Sequence, residues 1–211
     1  MNCQRFIQDG AVWAWPLHED PLTEARKRYT VTGNPQVVDS PWGRALRFDG
    51  TNDYITLKSG EEYDLRFDSG SQDFSLATWI RYVSNGSSQI IIDKRDAGND
   101  GWFLMIVSDG RPQARIQALQ INGPSLITDQ LWHSIVLTVD RDGNAYVYFD
   151  GTPGSAVGVG STAMATTILP KIGVVPFDLS AKFAGDMAGI VVWDRALTPE
   201  EAVDLSQGRF F

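Results

Sequence analysis

Short apolar segments, each ended by turn-forming residues, fill most of this chain of 211 residues. In the segment 74–83 (FSLATWIRYV), the odd-numbered residues up to Arg81 share one face and the even-numbered residues share the other, as in a β-strand. The segments 131–139 and 144–150 flank the sequence DRDG, which is typical of a hairpin turn. Before Thr198 no long stretch has the period of a helix. Many short strands joined by turns predict a sandwich or barrel.

Several of the predicted strands are apolar on both faces, which indicates two sheets packed face to face. The strands that alternate between apolar and polar residues would instead present one face to water. We therefore predict an all-β fold, a two-sheet antiparallel β-sandwich, in which the whole chain forms one domain. The further strand segments are 11–15, 44–50, 53–57, 89–94, 101–107, 113–119, 171–175 and 187–194.

A short C-terminal helix is predicted after the last strand. Thr198 and Glu201 have the spacing of a capping box, and Pro199 occupies the first helical position, where its missing N–H costs nothing. Gly208 is positioned to end the helix. We expect this helix to close an end of the sandwich.

Charge and composition exclude several partners. The chain has 18 Lys and Arg against 26 Asp and Glu, a net charge of −8, which is unsuited to nucleic acid or an anionic membrane. The N-terminus lacks the basic start and apolar run of a signal peptide, and no stretch is long and apolar enough to span a membrane. Cys3 is the single cysteine, so no internal disulfide is expected.

The order of six segments resembles a known fold: ALRFDGTNDYITL, FSLATWIRY, IIDKRDAGNDGWFLMI, LWHSIVLTVDRDGNAYVYFDG, KIGVV and FAGDMAGIVVWDRALTPEEA. Together they resemble the laminin-G-like, concanavalin A-like jelly roll, in the branch of the pentraxins. The resemblance covers residues 44–205. It implies two curved antiparallel sheets, with the closing strand and short helix as a hallmark. Residues 1–43 would form N-terminal strands or an extension of the single domain 1–211, and residues 206–211 a C-terminal tail.

The sequence does not contain the complete catalytic pattern of the enzymes in this superfamily. Hydrolases of this superfamily carry Glu-x-Asp-x-x-Glu on one strand, and glycosidases need two carboxylates across the bond that they cleave. In the nearest match, EEYDLRF, Glu62 and Asp64 fit, but Phe67 takes the third acidic position. Asp68 is one residue too far and would turn to the other face. We therefore expect no enzyme activity, and a glycoside hydrolase is the interpretation that the residues fit least.

The histidines and the cysteine do not form a catalytic or zinc motif. His133 stands where this family commonly has a structural histidine, and His18 lies in a predicted loop. Cys3 has no motif around it. The sequence thus predicts neither a nucleophile triad nor a zinc site.

Calcium is the one metal that the resemblance suggests as a ligand. The segment DKRDAGNDG resembles the pentraxin segment that supplies an Asp-Asn pair to calcium, and Asp96, Asn99 and Asp100 are the matching candidates. The chain departs from the family in two other places. In the stretch VVPFDLSAKF, where pentraxins add an acidic cluster, Asp178 is the only acid, and Ala188 and Gly189 stand where laminin-G relatives often carry a pair of acids. A solvated turn is the alternative, and no cofactor is expected to be required.

Glycan binding would use aromatic rings with polar residues around them. Of the seven tryptophans, Trp42 and Trp102 are predicted to be the most exposed pair, and packing in the core is the alternative for each.

Two functions remain open from the sequence. Laminin-G-like proteins that stand alone without a signal resemble accessory proteins of phage virions, either decorations or tail-associated parts. That resemblance implies a place on the virion surface, or in the cytoplasm if the protein is not phage-encoded. The partners would be capsid or tail proteins, with a glycan or a second copy of the chain as further candidates. Phe210 and Phe211 are predicted to dock, unless they pack on their own sandwich. The alternative function is a free lectin-like, carbohydrate-binding protein.

Overall fold

The computed structural model of the chain describes residues 11, 13–15, 29–58, 65, 67, 70–161, 164 and 166–208. Over these residues the regular secondary structure consists of β-strands and one helix, α1 (Pro199–Ser206), which follows the last strand. The strands are β1 (Trp13–Trp15), β2 (Tyr29–Thr32), β3 (Gln36–Ser40), β4 (Gly43–Asp49), β5 (Tyr54–Leu57), β6 (Phe74–Tyr82), β7 (Gln89–Arg95), β8 (Gly101–Ile106), β9 (Pro112–Ile116), β10 (Leu119–Asn122), β11 (Trp132–Val139), β12 (Asn144–Phe149), β13 (Thr152–Pro153), β14 (Val157–Gly158), β15 (Lys171–Ile172) and β16 (Ala184–Trp193).

The strands form two antiparallel sheets. The nine-stranded sheet has the order β13-β12-β11-β6-β16-β4-β3, with β1 beside β16 and β14 beside β12. The seven-stranded sheet has the order β10-β9-β8-β7-β15-β5-β2. The prediction of a two-sheet antiparallel sandwich with a short C-terminal helix is confirmed. None of the helices among the described residues has the length and apolar character needed to cross a membrane.

The main core lies between the two sheets and is rich in aromatic rings. Phe67 and Phe74 stack with their centroids 4.1 Å apart, and Trp102 lies 6.0 Å from Phe67 and 5.8 Å from Phe74. Trp102 is only 1% exposed. In the sheet it lies opposite Lys94 and Ile116, which are also buried. The prediction that Trp102 is exposed for a glycan is therefore wrong, because β8 turns this ring towards the core.

A second apolar layer covers part of the outer face of the nine-stranded sheet. Trp79, Trp193 and small residues such as Ala188 form this layer, and Ala202 and Leu205 of α1 pack on it. This part of the face is thus covered by the helix rather than by water, a difference from the expectation that the helix closes an end of the sandwich.

The predicted capping box of α1 is present. The backbone N–H of Glu201 donates to Thr198 Oγ1 at 3.2 Å, and the backbone N–H of Thr198 donates to Glu201 Oε2 at 2.8 Å. Arg195 also donates to both carboxylate oxygens of Glu201, at 2.8 and 2.6 Å. These contacts fix the start of the helix against the end of β16.

Candidate ligand-binding site

A row of polar and aromatic side chains crosses five neighbouring strands of the nine-stranded sheet. Gln36 of β3 lies opposite Arg47 of β4, and Arg47 lies opposite Asp186 of β16. Asp186 in turn lies opposite Arg81 of β6, which lies opposite Trp132 of β11. Residues opposite one another in antiparallel strands point to the same face, so this arginine row lies on the outer face of the sheet.

Asp186 holds both arginines of the row. Its side chain is 1% exposed and accepts hydrogen bonds from Arg47 Nε at 2.8 Å and Nη2 at 3.2 Å. It also accepts from Arg81 Nε at 2.8 Å and from Arg81 Nη2. A buried carboxylate requires such partners, because an unpaired charge in the interior is strongly unfavourable. The hydrogen bonds to Asp186, together with its charge, raise the pKa of Arg47 above its ordinary value.

The two guanidinium groups are held in place and yet remain accessible. The side chain of Arg47 is 51% exposed and that of Arg81 is 35% exposed. Within the part of the chain that the structure describes, Nη1 of each arginine makes no hydrogen bond. The row therefore offers two fixed cationic groups with donors to spare, and such pre-organisation favours ligand binding.

A cavity of about 440 Å³ opens beside the row. This volume is within the usual range of small-molecule sites, roughly 300–1,000 Å³. Gly185 shapes its floor with a φ of +134°, and a Cβ there would lie 2.2 Å from the backbone oxygen of Arg81. Glycine thus allows β16 to approach β6 closely at this point. The cavity is lined by Arg47, Phe48, Asp49, Arg81, Val83, Gln130, Ala184, Gly185 and Asp186.

Aromatic side chains flank the row on the side of β11. The guanidinium carbon of Arg81 lies 5.8 Å from the centre of the Trp132 ring, within range of a cation–π interaction. Trp42, from the turn between β3 and β4, meets Trp132 edge-on with centroids 5.7 Å apart, and its centroid lies 6.0 Å from that of Trp79. Trp42 and Trp132 are half-buried, and the neighbouring Leu131 is 64% exposed. The predicted residue Trp42 thus lies at the arginine row, whereas Trp102 does not.

A second cavity, of about 370 Å³, adjoins the first. Arg47, Phe48 and Asp49 line both cavities, so they form the wall between the two. The remaining lining residues come from the turn before β3, the start of β3 and the turn between β4 and β5, and are Gly33, Asn34, Gln36, Asn52 and Asp53.

The three predicted calcium ligands lie together in the turn between β7 and β8. Asp96 Oδ1 accepts from the backbone N–H groups of Gly98 at 2.8 Å and Asp100 at 3.0 Å. Asn99 Oδ1 accepts a hydrogen bond from Arg95 Nη1 at 3.1 Å. Asp100 Oδ1 accepts a hydrogen bond from Gln117 Nε2 at 3.2 Å. These oxygens thus stabilise the turn itself. Among the described residues no group of three or more His, Cys, Asp or Glu is arranged to hold a metal ion.

Two other titratable groups are held by ion pairs away from the row. His133 lies between Asp150 (Nδ1 to Oδ2, 2.7 Å) and Asp129 (Nε2 to Oδ1, 2.8 Å), and its hydrogen bond with Asp150 is the main cause that raises its pKa. Asp93 of β7 is buried and accepts from Arg95 Nε at 2.9 Å. Burial raises the pKa of Asp93 to about 7, although Arg95 opposes this shift.

Several predicted residues cannot be placed in the site. Glu62, Asp64 and Asp68 of the acidic segment lie outside the described residues, as do the docking candidates Phe210 and Phe211. Phe67, which takes the third position of the hydrolase pattern, is buried in the core. The described part of the segment therefore offers an apolar core residue where a hydrolase has an acid.

Sequence reasoning missed the residues that form the row. The signal for Asp186 was its place directly before the apolar segment 187–194, because an acid that is buried with such a strand needs a cation on a neighbouring strand. The alternation of β6 put Arg81 on the face opposite that of Phe74, but it identified neither this face as the outer one nor the partner of Arg81.

The comparison with known families agrees with this fold. Residues 49–203 match the Laminin G 3 family, described as the Concanavalin A-like lectin/glucanases superfamily. The chain belongs to this family. Human pentraxin-4 is 28% identical over 149 residues, which cover 64% of this chain and 29% of that protein. Human neuronal pentraxin-1 is 34% identical over 95 residues, which cover 39% of this chain and 21% of that protein. The chain spans less than a third of the length of these relatives.

Solved structures with the same fold include binding domains of bacterial toxins. The binding domain of Paraclostridial Mosquitocidal Protein 1 has a TM-score of 0.76 at 18% identity, covering 96% of this chain and 53% of that one. A second structure is described by the statement that cell entry of botulinum neurotoxin type C depends on interaction with two ganglioside molecules. It has a TM-score of 0.72 at 16% identity, and the match covers 97% of this chain and 52% of that one. The binding domain of botulinum neurotoxin DC in complex with rat synaptotagmin II has a TM-score of 0.70 at 16% identity, covering 96% and 52%. At these identities the likeness shows the fold.

Proposed function

We propose that this chain is a non-catalytic binding module that recognises a glycan in the cavity between Arg47 and Arg81. One observation carries the proposal: a single buried carboxylate, Asp186, holds two partly exposed guanidinium groups at a cavity of about 440 Å³. Guanidinium groups donate several hydrogen bonds in a fixed fork, which suits the oxygen atoms of a sugar. Trp132 lies next to Arg81, and Trp42 packs against Trp132, so the row ends in an apolar surface with a polar edge.

The comparisons support binding as the function. The family is one of lectins and glucanases, and the structural neighbours include toxin binding domains whose descriptions name gangliosides and synaptotagmin. The chain matches only about half of each neighbour. Those descriptions therefore support a binding role in general, and the location of the ligand here rests on the arginine row.

The carboxylates at the cavity favour binding over hydrolysis. Glycosidases need one carboxyl group as an acid and a second as a base or nucleophile. Asp186 is engaged by both arginines. Asp49, the other carboxylate that lines the cavity, accepts from the backbone N–H groups of Thr51 at 2.7 Å and Asn52 at 2.9 Å through the same Oδ1. Both are used to hold the protein together, so a non-catalytic role fits this cavity best.

Binding of a defined saccharide by the free protein is the direct test. A glycan array followed by titration calorimetry should show binding that falls by about tenfold or more in Arg81→Gln, because hydrogen bonds from a charged donor are lost. Arg44→Gln is the matched control, since Arg44 is an exposed arginine on β4 outside the cavity lining. The proposal is contradicted if the wild type binds no glycan, or if Arg81→Gln folds normally and binds as the wild type does.

An accessory role in a larger assembly, such as a phage virion, is the second candidate; it is drawn from the resemblance to accessory virion proteins, with Phe210 and Phe211 as the docking candidates. The module would then bring a glycan-binding surface to a particle. If the two rings are buried against a partner, deletion of residues 209–211 should reduce incorporation into the particle without lowering the melting temperature. Full incorporation of the truncated protein would count against this docking role.

Calcium at the Asp96 turn is a separate proposal, drawn from the pentraxin resemblance. If the ion binds, it should raise the melting temperature by mass action, and the double substitution Asp96→Ala with Asp100→Ala should remove the gain. Identical melting curves of the wild type in calcium and in chelator would exclude it.

A further inference from the structure

We infer that the ligand is an acidic oligosaccharide of at least two sugars, whose carboxylate or sulfate binds at Arg81 and whose next sugar, a neutral one, occupies the second cavity. This inference rests on the proposed function and names its ligand class. Three features carry it: the charge of the arginine row, the position of Asp49, and the amide side chains that line the second cavity.

The charge of the row favours an anion. Arg47 and Arg81 share one carboxylate, that of Asp186, so the row keeps one positive charge in a chain whose net charge is −8. Asp49 lines the same cavity, but in the described part of the chain its carboxylate accepts from the backbone N–H groups of Thr51 and Asn52 and from neither arginine, so a neutral sugar would leave the free donors of the row without an anionic acceptor. An anionic group would accept charge-assisted hydrogen bonds from the donors that Asp186 leaves unused, and such bonds are about twice as strong as neutral ones.

The position of Asp49 decides which way the ligand lies. Asp49 and Arg47 line both cavities, whereas Arg81 lines the first alone. An anionic group beside Asp49 would be repelled, since like charges at short range are unfavourable. The first cavity is lined by two arginines and two carboxylates, whereas the second is lined by one arginine and two carboxylates, Asp49 and Asp53. The anionic group therefore belongs in the first cavity at Arg81, and the uncharged part of the ligand extends past Arg47 into the second.

The second cavity is suited to a neutral sugar. Its amide side chains come from Asn34, Gln36 and Asn52. Gln36 Nε2 donates to the backbone oxygen of Asn34 at 2.8 Å, while the side chains of Asn34 and Asn52 make no hydrogen bond to other described residues. An amide both donates and accepts without a charge, which matches the hydroxyl groups of a sugar.

The walls of the second cavity are held in place before any ligand binds. Asp53 is 3% exposed, and its carboxylate accepts from the backbone N–H groups of Asn34 at 2.7 Å and Asp49 at 3.0 Å. It thereby joins the turn before β3 to the turn after β4. Gly33 adopts a φ of +82°, and a Cβ there would lie 2.2 Å from Asp53 Oδ1. Only glycine fits this close approach, so the amides are presented on a pre-organised wall.

The inference is tested by calorimetric titration with four matched probes: lactose, free N-acetylneuraminate, sialyllactose and sulfated lactose. Sialyllactose should bind about tenfold or more tightly than lactose or free N-acetylneuraminate, because lactose lacks the charge and free N-acetylneuraminate lacks the sugar for the second cavity. Sulfated lactose shows whether a sulfate serves as well as a carboxylate, and either anion is consistent with the inference.

Variants separate the two cavities. Arg81→Gln should weaken sialyllactose and free N-acetylneuraminate alike. Asn34→Ala combined with Asn52→Ala should weaken sialyllactose by about tenfold and leave free N-acetylneuraminate unchanged. Asn144→Ala is the matched control, since Asn144 is exposed on β12 and lies outside both cavities.

The outcomes distinguish this inference from the function on which it rests. If lactose binds as tightly as the acidic probes and Arg81→Gln still loses binding, the site binds glycans but the acidic class is wrong. If the double asparagine variant binds sialyllactose like the wild type, the second cavity is not used. If none of these probes, and no saccharide on an array, binds the folded wild type, the proposed function itself fails.

Discussion

Replacing Asp186 by Asn should destabilise the protein by about 2–4 kcal/mol. Hydrogen bonds to charged groups contribute roughly 1.5–3 kcal/mol each, and removing one partner of a buried ion pair costs about 3–5 kcal/mol. Asp186 is buried and serves both Arg47 and Arg81. Both arginines are partly exposed, so water can take over some of their bonds in the variant, and this lowers the expected loss. An asparagine also turns an N–H donor towards a guanidinium, which cannot accept it.

Urea unfolding followed by circular dichroism measures this loss. For a chain of this size 1 kcal/mol corresponds to about 2–4 °C, so the melting temperature should fall by roughly 5–15 °C. Asp142→Asn is the matched control, because Asp142 is an exposed turn residue, and its effect should be within about 0.5 kcal/mol. If Asp186→Asn lies within about 1 kcal/mol of the wild type with an unchanged m-value, the argument that this carboxylate holds the row is wrong.

Three further predictions concern contacts outside the arginine row, and each is measured by chemical unfolding. Thr198→Ala should lower the free energy of unfolding by about 1 kcal/mol, because it removes the N-cap of α1. For His133, hydrogen bonding to Asp150 raises the pKa above the ordinary 6.5. Its stabilisation is therefore complete below the unfolded-state pKa and is lost as the pH rises through the folded-state pKa, so the difference between wild type and His133→Gln should shrink as the pH rises above about 6.5. For Asp93, burial raises the pKa to about 7 from 3.8. The folded state then holds a proton that the unfolded state has lost, so the stability of the wild type relative to Asp93→Asn should fall between about pH 4 and 7; a difference that is constant with pH would contradict this shift.

Local patterns in the sequence were enough to predict the fold. The alternation of residues 74–83, the hairpin turn before β12 and the capping box of α1 are each set by neighbouring residues, and the structure has all three. The sequence did not show which side chains of β8 point into the core. The segment GWFLMIV is apolar on both faces, so nothing local indicates which residues turn inwards, and the exposure of Trp102 was predicted wrongly.

The arginine row depends on contacts that are distant in the sequence. Asp186 is separated from Arg47 by 139 residues and from Arg81 by 105. The alignment of these residues also depends on a register shift in β16 between Met187 and Gly189. A single sequence shows that an acid in an apolar strand needs a partner, but the partner and the cavities beside it emerge only when the strands are placed side by side.

The central claim, a glycan site at the arginine row, is tested most directly by NMR on the arginine side chains during titration with sialyllactose. The Nε–H signals of Arg47 and Arg81 should shift in a saturable way. That of Arg195, whose guanidinium is bound to Glu201, should stay in place as an internal control. We expect shifts at the row and at the backbone amide of Asn34. Saturable shifts confined to the turn around Asp96, with Arg47 and Arg81 unchanged, would contradict it.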